Sequence, residues 1–155
     1  MIPKILALPL ILLTIVTLSA TALGDDSEQG TADANPSGNW NFSLYESAVT
    51  GMCPMGQDGS GTLTILDQGG GALTLQYVTG MQCDPSDVCV LFGACDGNLC
   101  AFSTEVTVDD EGGKVTNSAE LTLVAPNHLE GVGSSVYQHP QGFTCSWSYM
   151  LTLSR

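Results

Sequence analysis

The chain has 155 residues, six cysteines and a formal net charge of −13, with 16 acidic residues against three Lys and Arg. This balance excludes nucleic acid and anionic membrane surfaces as favoured partners, because both carry negative charge and bind proteins through Lys and Arg. The acidity suits solubility outside the cell, a basic protein partner or a salty habitat.

The first 24 residues predict a secretory signal peptide. Residues 1–4 carry one cation, residues 5–18 are apolar, and residues 20–22 and 22–24 are small-x-small cleavage patterns. The apolar run is short for a membrane-spanning helix, which needs about 20 residues, and a retained anchor is the alternative. We therefore expect a secreted or periplasmic protein that has no membrane contact after cleavage.

Residues 25–37, "DDSEQGTADANPS", contain no large apolar side chain and predict a disordered acidic tail. From Gly38 to the end of the chain, short runs alternate apolar and polar residues and are separated by turn signals such as "QGGG", "DGN" and "DDEGG". No helix is predicted. Strands are predicted at residues 39–49, 61–67, 72–79, 87–95, 99–108, 114–124, 128–137 and 143–153.

About eight sequential strands joined by short turns predict an all-β domain over residues 38–155, folded as an up-and-down antiparallel β-barrel. Closing the barrel removes the two exposed edges of the meander. If the first and last strands pair, Trp40 lies near Arg155, and the same register places Cys53 near Cys145 within a slip of a few residues. A disulfide would then close one end, and a Trp–guanidinium stack the other.

Six cysteines behind a signal peptide predict three disulfides. Zinc binding is the weaker alternative, because the sequence contains no CxxC pair. Besides the bridge that closes the barrel, four cysteines lie between residues 83 and 100. Two pairings remain open: Cys83–Cys89 with Cys95–Cys100, or Cys83–Cys100 with Cys89–Cys95. Either pairing would fix the connection between the third and fourth strands.

Gly38 and Trp40 in the first strand and Arg155 after the last resemble the calycin superfamily. That group includes lipocalins, avidins and small barrel inhibitors of bacterial metalloproteases. The resemblance covers residues 38–155 as architecture. It implies that the Trp packs across the closed end of the barrel and that the Arg lies over it.

No pattern of catalytic residues is found, so we expect a non-enzymatic protein without cofactor or metal. His128 begins a strand, His139 lies in a turn, and neither a GxSxG nor an HExxH motif is present. The acids at 84, 87 and 109–111 fall in loops, where solvation explains them better than glycoside hydrolysis or calcium binding. Copper is a further alternative at "MCPM", residues 52–55, but Cys53 is assigned to a disulfide.

Two functions fit such a barrel, and we expect a monomer in either case. The first is binding of a small apolar ligand, and the second is binding of an exported protein, such as a hydrolase, with the acidic tail inserted into its cleft. Eight strands enclose either a packed core or one small ligand. The alternation predicts as lining or core residues Phe42, Leu44, Leu63, Ile65, Leu73, Leu75, Leu121, Leu123, Trp147, Tyr149 and Leu151.

Overall fold

The computed structural model describes residues 35–83 and 85–155. The predicted signal peptide and residues 25–34 of the predicted tail lie outside the described residues. In the described part of the chain, no helix is long and apolar enough to cross a membrane. The elements are β1 (Gly38–Thr50), β2 (Gly59–Gly69), β3 (Ala72–Thr79), a 3-10 helix (Ser86–Cys89), β4 (Val90–Asp96), β5 (Leu99–Thr107), β6 (Lys114–Ala125), β7 (His128–Gln138) and β8 (Thr144–Ser154).

The eight strands form a closed, up-and-down antiparallel barrel in the order β1 to β8, which confirms the predicted fold class. Each strand pairs with its neighbours in sequence, and β1 also pairs with β8. The closing register starts at Asn41–Ser154, which is the register expected from the sequence. Because the sheet is closed, none of the eight strands presents a free edge.

A β-bulge interrupts the closing seam between Glu46 and Ala48. Before the bulge, the even residues of β1 face inward and are buried. After it, Val49 is partly buried, whereas Ala48 and Thr50 on either side are exposed. The inward-facing positions of β1 have therefore changed from even-numbered to odd-numbered residues. An extra residue in one strand has this effect, and it accounts for one of the three positions by which the Cys53–Cys145 pairing is offset from the Trp40 register.

The predicted strand at residues 87–95 begins later than expected. Residues Ser86–Cys89 form a turn of 3-10 helix, with the amide of Val88 donating to the carbonyl of Pro85 at 3.2 Å, and β4 starts only at Val90. The disulfide Cys83–Cys89 closes this segment into a short loop. A loop this short cannot remain extended between its two cysteines, which explains the helical turn.

The structure contains the bridges Cys53–Cys145, Cys83–Cys89 and Cys95–Cys100, and no free cysteine lies among the described residues. Of the two pairings left open by the sequence, it has the one with the shorter loops. Cys95 and Cys100 face each other across the β4–β5 hairpin. Three disulfides indicate an oxidising environment of the extracellular type.

Candidate functional site

The two ends of the barrel differ, and the end where β1 begins is sealed. Trp40 is 1% exposed, and its indole N–H donates to the carbonyl of Pro36 at 2.8 Å. The guanidinium of Arg155 lies 4.3 Å from the centre of the Trp40 ring. It also donates to the carbonyls of Ser37 and Pro126, both at 2.8 Å. These contacts cover this end of the barrel with side chains.

Pro36 departs from the expectation of a disordered tail up to residue 37. Its side chain is fully buried, and its carbonyl is the acceptor for Trp40. Proline has no amide hydrogen, so its burial leaves no unsatisfied backbone donor. Pro36 and Ser37 therefore belong to the seal of the barrel.

The opposite end of the barrel holds a cavity of about 220 Å³. Its floor consists of Leu44, Leu91 and Leu151, which are all buried and belong to the core. The volume falls between the roughly 150 Å³ that accommodates benzene and the roughly 300 Å³ at which pockets for drug-sized ligands begin. A molecule of one or two rings has the right size for this space.

Two tyrosines, Tyr77 of β3 and Tyr149 of β8, form the walls above this floor. The Tyr77 ring packs edge to face on Phe42, with 5.0 Å between the ring centres. Burial, and secondarily repulsion from the Tyr149 phenolate, raises the pKa of Tyr77 to about 12. Both tyrosines are therefore neutral phenols at physiological pH and present hydroxyl groups that can donate or accept a hydrogen bond.

Small residues in β7 make room for the cavity. Gly133 lies directly opposite Tyr149 in the sheet, and both line the space, together with Ser135. A Cβ atom at Gly133 would touch only the carbonyl oxygen of Ser118, at 3.4 Å, which is an ordinary contact. The absence of a side chain at Gly133 is therefore not required by close packing of the backbone, and it leaves space inside the barrel.

The mouth of the cavity carries both polar and apolar side chains and is bordered by the β3–β4 connection. Gln57, Met81 and Gln82 line it, as does Val88 of the 3-10 turn. The side-chain amide of Asn117 donates to the Val88 carbonyl at 3.0 Å and ties this connection to β6. Together with the Cys83–Cys89 bridge, this bond fixes the rim on one side.

Glu46 lies at the same end of the barrel, at the bulge of β1. One of its carboxylate oxygens, Oε2, is buried and has no hydrogen-bond partner among the described residues. Its backbone amide donates to the Asp58 carboxylate at 2.9 Å. Burial, and then the negative charge of Glu46, raises the pKa of Tyr149, which is its cross-strand neighbour. Oε2 lies against the backbone of Gly56, and Glu46 does not line the cavity, although its cross-strand neighbour Tyr149 does.

A second cluster joins two loops at the open end. The Asp109 carboxylate accepts hydrogen bonds from the Gly113 amide at 2.7 Å and from the Tyr137 hydroxyl at 3.0 Å. The Gly113 bond chiefly, assisted by Tyr137, lowers the pKa of Asp109. His139 stacks on Phe143 with 4.3 Å between ring centres. This cluster connects the β5–β6 loop to the β7–β8 turn.

Some of the residues predicted to line or fill the barrel border the cavity at the open end, and the others belong to the packed core. Leu44, Tyr149 and Leu151 line the cavity. Trp147 lies near the mouth, where its indole N–H donates to the Pro54 carbonyl at 3.0 Å. The others form or contact the packed core: Phe42, Leu63, Ile65, Leu73, Leu75, Leu121 and Leu123.

Sequence reasoning selected large apolar residues and therefore missed most of the cavity wall. It missed Tyr77, Gln57, Gln82, Gly133 and Ser135. The sequence feature that indicates this part of the cavity is the run "GVGSS", residues 131–135, which places small residues at inward positions of β7. Small side chains facing inward leave space, whereas large ones fill it.

Among the described residues, no three His, Cys, Asp or Glu side chains are arranged to hold a metal ion. Met52 and Met55, which flank the disulfide-bonded Cys53, are almost fully exposed. His128 contacts Glu130, and His139 contacts Glu111.

Comparisons with protein-family models, curated proteins and solved structures find no match to the chain.

Proposed function

We propose that this protein is a secreted, calycin-like barrel that binds one small molecule in the cavity at its open end and catalyses no reaction. The observation that carries the proposal is the contrast between the two ends of the barrel. Trp40, Arg155 and Pro36 seal one end, whereas the other holds a space of about 220 Å³ with an apolar floor.

The lining supports a ligand with one apolar face and one polar group. Leu44, Leu91 and Leu151 offer only apolar surface at the floor. The tyrosines and the glutamines of the rim offer hydrogen bonds nearer to the solvent. Binding pockets for small molecules commonly combine apolar walls with a few polar groups that orient the ligand.

The chemistry of the described side chains supports binding over catalysis. All six cysteines are disulfide-bonded and cannot act as nucleophiles. The two tyrosines of the cavity are neutral donors, a state suited to recognition. The bridges, together with the leader-like sequence of residues 1–24, support secretion.

Native mass spectrometry of the protein purified from its own host tests the proposal. We expect an added mass of a few hundred daltons at most, which is lost on denaturation. The matched experiment uses Gly133→Leu, which places a side chain in the cavity opposite Tyr149, and Val132→Leu, which adds a methylene group on the outer wall. Only Gly133→Leu should abolish the added mass.

Two results would contradict binding in the cavity. One is a bare polypeptide, for the wild-type protein as well as for the variants. The other is an added mass that Gly133→Leu retains in full while circular dichroism shows a folded barrel. The second result would place the ligand elsewhere on the molecule.

A further inference from the structure

Resting on the proposed function, we infer that the ligand of this cavity is a small organic cation: a one- or two-ring molecule whose protonated amine lies at the mouth. The observations that carry the inference are the composition of the cavity wall, the carboxylate of Glu46 and the distribution of charge between the two ends of the barrel.

The cavity wall offers hydrogen-bond donors but no cationic side chain to an anion. Among the described residues that line it, none is Lys, Arg or His. A carboxylate ligand would leave water without gaining an ion pair, and burying an unpaired charge is strongly unfavourable. Fatty acids and other small acids are therefore disfavoured as ligands.

The fully charged basic residues of the described chain are engaged elsewhere. Arg155 belongs to the sealed end and stacks on Trp40. Lys114 is close to the open end, but its ammonium group pairs with the Glu105 carboxylate at 2.7 Å. Neither residue is placed to neutralise the carboxylate of Glu46.

The open end is rich in negative charge. Connections at this end carry acids with exposed side chains, whereas the described connections of the sealed end carry none, and the acids nearest to it are Asp67, Asp96 and Glu130 in the adjoining strands. His139 compensates little, because it already contacts one of these acids, Glu111, at 3.2 Å. Acids of one sign around a cleft concentrate oppositely charged ligands. The exposed acids at the open end are Asp58, Asp87, Asp109, Asp110 and Glu111.

Glu46 and the tyrosines provide the local attraction that distinguishes a cation from a neutral ligand. The carboxylate of Glu46 lies outside the cavity lining, next to Tyr149, and its unpartnered Oε2 attracts an ammonium group at the mouth across a short distance or through a bridging water. The rings of Tyr77 and Tyr149 line the cavity, and aromatic faces attract organic cations. The floor leucines would hold the apolar ring of the same molecule.

Isothermal titration calorimetry with three phenyl-substituted probes of similar size tests the inference on the protein produced from the full-length sequence. The probes are 2-phenylethylamine, 2-phenylethanol and 3-phenylpropionate, which are cationic, neutral and anionic at pH 7. We expect the amine to bind about tenfold or more tightly than the alcohol, since one close charge pair contributes at least about 1.4 kcal/mol at an intermediate dielectric. The acid should show no binding.

Two further measurements separate the parts of the inference. Raising the salt concentration from 20 to 500 mM should weaken binding of the amine several-fold and leave binding of the alcohol unchanged, because salt screens the charges around the mouth. Glu46→Gln should reduce the affinity for the amine towards that for the alcohol. Its matched control, Glu120→Gln, removes the same charge from the outer wall and should preserve the preference.

The outcomes distinguish this inference from the proposed function. If the alcohol binds as tightly as the amine, or the acid binds equally well, the preference for cations is wrong and the cavity remains a binding site. If Glu46→Gln stays folded and keeps the full preference, the assignment to Glu46 is wrong. If none of the three probes binds, the inference is overturned, and native mass spectrometry with Gly133→Leu decides independently whether the cavity binds another kind of molecule.

Discussion

The guanidinium group of Arg155 lies 4.3 Å from the centre of the Trp40 ring and, at the same time, donates to the Ser37 carbonyl at 2.8 Å. The last residue of the chain is thereby tied to the segment that enters the first strand. Gly38 stands between these groups with a φ of +136°, and its lack of a side chain lets the guanidinium approach.

Arg155→Ala should lower the free energy of unfolding by about 2 kcal/mol, because a cation–π contact and charge-assisted hydrogen bonds are lost together. Urea denaturation measures the change. Lys114→Ala is the matched control, since it removes a cation from an exposed pair worth less than about 1 kcal/mol. An equal loss in both variants would refute the role of Arg155 in the seal.

Gly38→Ala should destabilise the barrel by about 1–2 kcal/mol, because alanine is disfavoured at positive φ. The added Cβ atom would also lie 2.9 Å from Nη1 of Arg155. Gly133→Ala is the control, since it needs no positive φ and meets only an ordinary contact. Equal unfolding midpoints for the two variants would show that the seal does not need a glycine.

The closing seam could be predicted from the sequence for definite physical reasons. Alternation assigns Trp40, Phe42 and Leu44 to one face, and a meander gains by pairing its two free edges. The register then follows from placing Trp40 opposite Arg155. The bulge at the end of β1 could not be predicted, because nothing in the local sequence "YESAV" marks an extra residue.

The cavity was harder to predict than the barrel. Alternation identifies which residues face inward, but whether they meet across the barrel depends on the sizes of side chains from distant strands. Leu44 and Leu151 face inward whether the barrel interior is filled or hollow. The space above them exists because Gly133 lies opposite Tyr149, a pairing that becomes evident only once the register is known.

The disulfides should contribute unequally to stability, because the entropy lost by the unfolded chain grows with loop length. Cys53–Cys145 spans 92 positions and Cys83–Cys89 spans six. Replacing both cysteines by serine should cost about 4–5 kcal/mol for the long bridge and about 2 kcal/mol for the short one. Urea denaturation of the two double variants checks the difference, and a larger loss for the short loop would contradict it.

Asp109 should make the barrel more sensitive to acid. The pKa of this carboxyl is lowered in the fold by the Gly113 amide and the Tyr137 hydroxyl. Its contribution is therefore present above the usual pKa of 3.8 and is lost as the pH falls through the lower folded value. Asp109→Asn should flatten the stability profile below about pH 4, and Asp110→Asn, beside it, should not.

Tyr77 should show the opposite dependence at alkaline pH. Because its pKa rises from 10.0 to about 12 in the fold, its contribution to stability is complete below pH 10.0 and is lost as the pH rises towards 12. Spectrophotometric titration should find a phenol that ionises near pH 12, and Tyr77→Phe should remove it. Tyr45→Phe, on the exposed outer face of β1, is the control and should leave this late ionisation in place. A titration in which Tyr77→Phe removes a phenol near pH 10 would show that water enters the cavity freely and that the Tyr77 hydroxyl is not shielded.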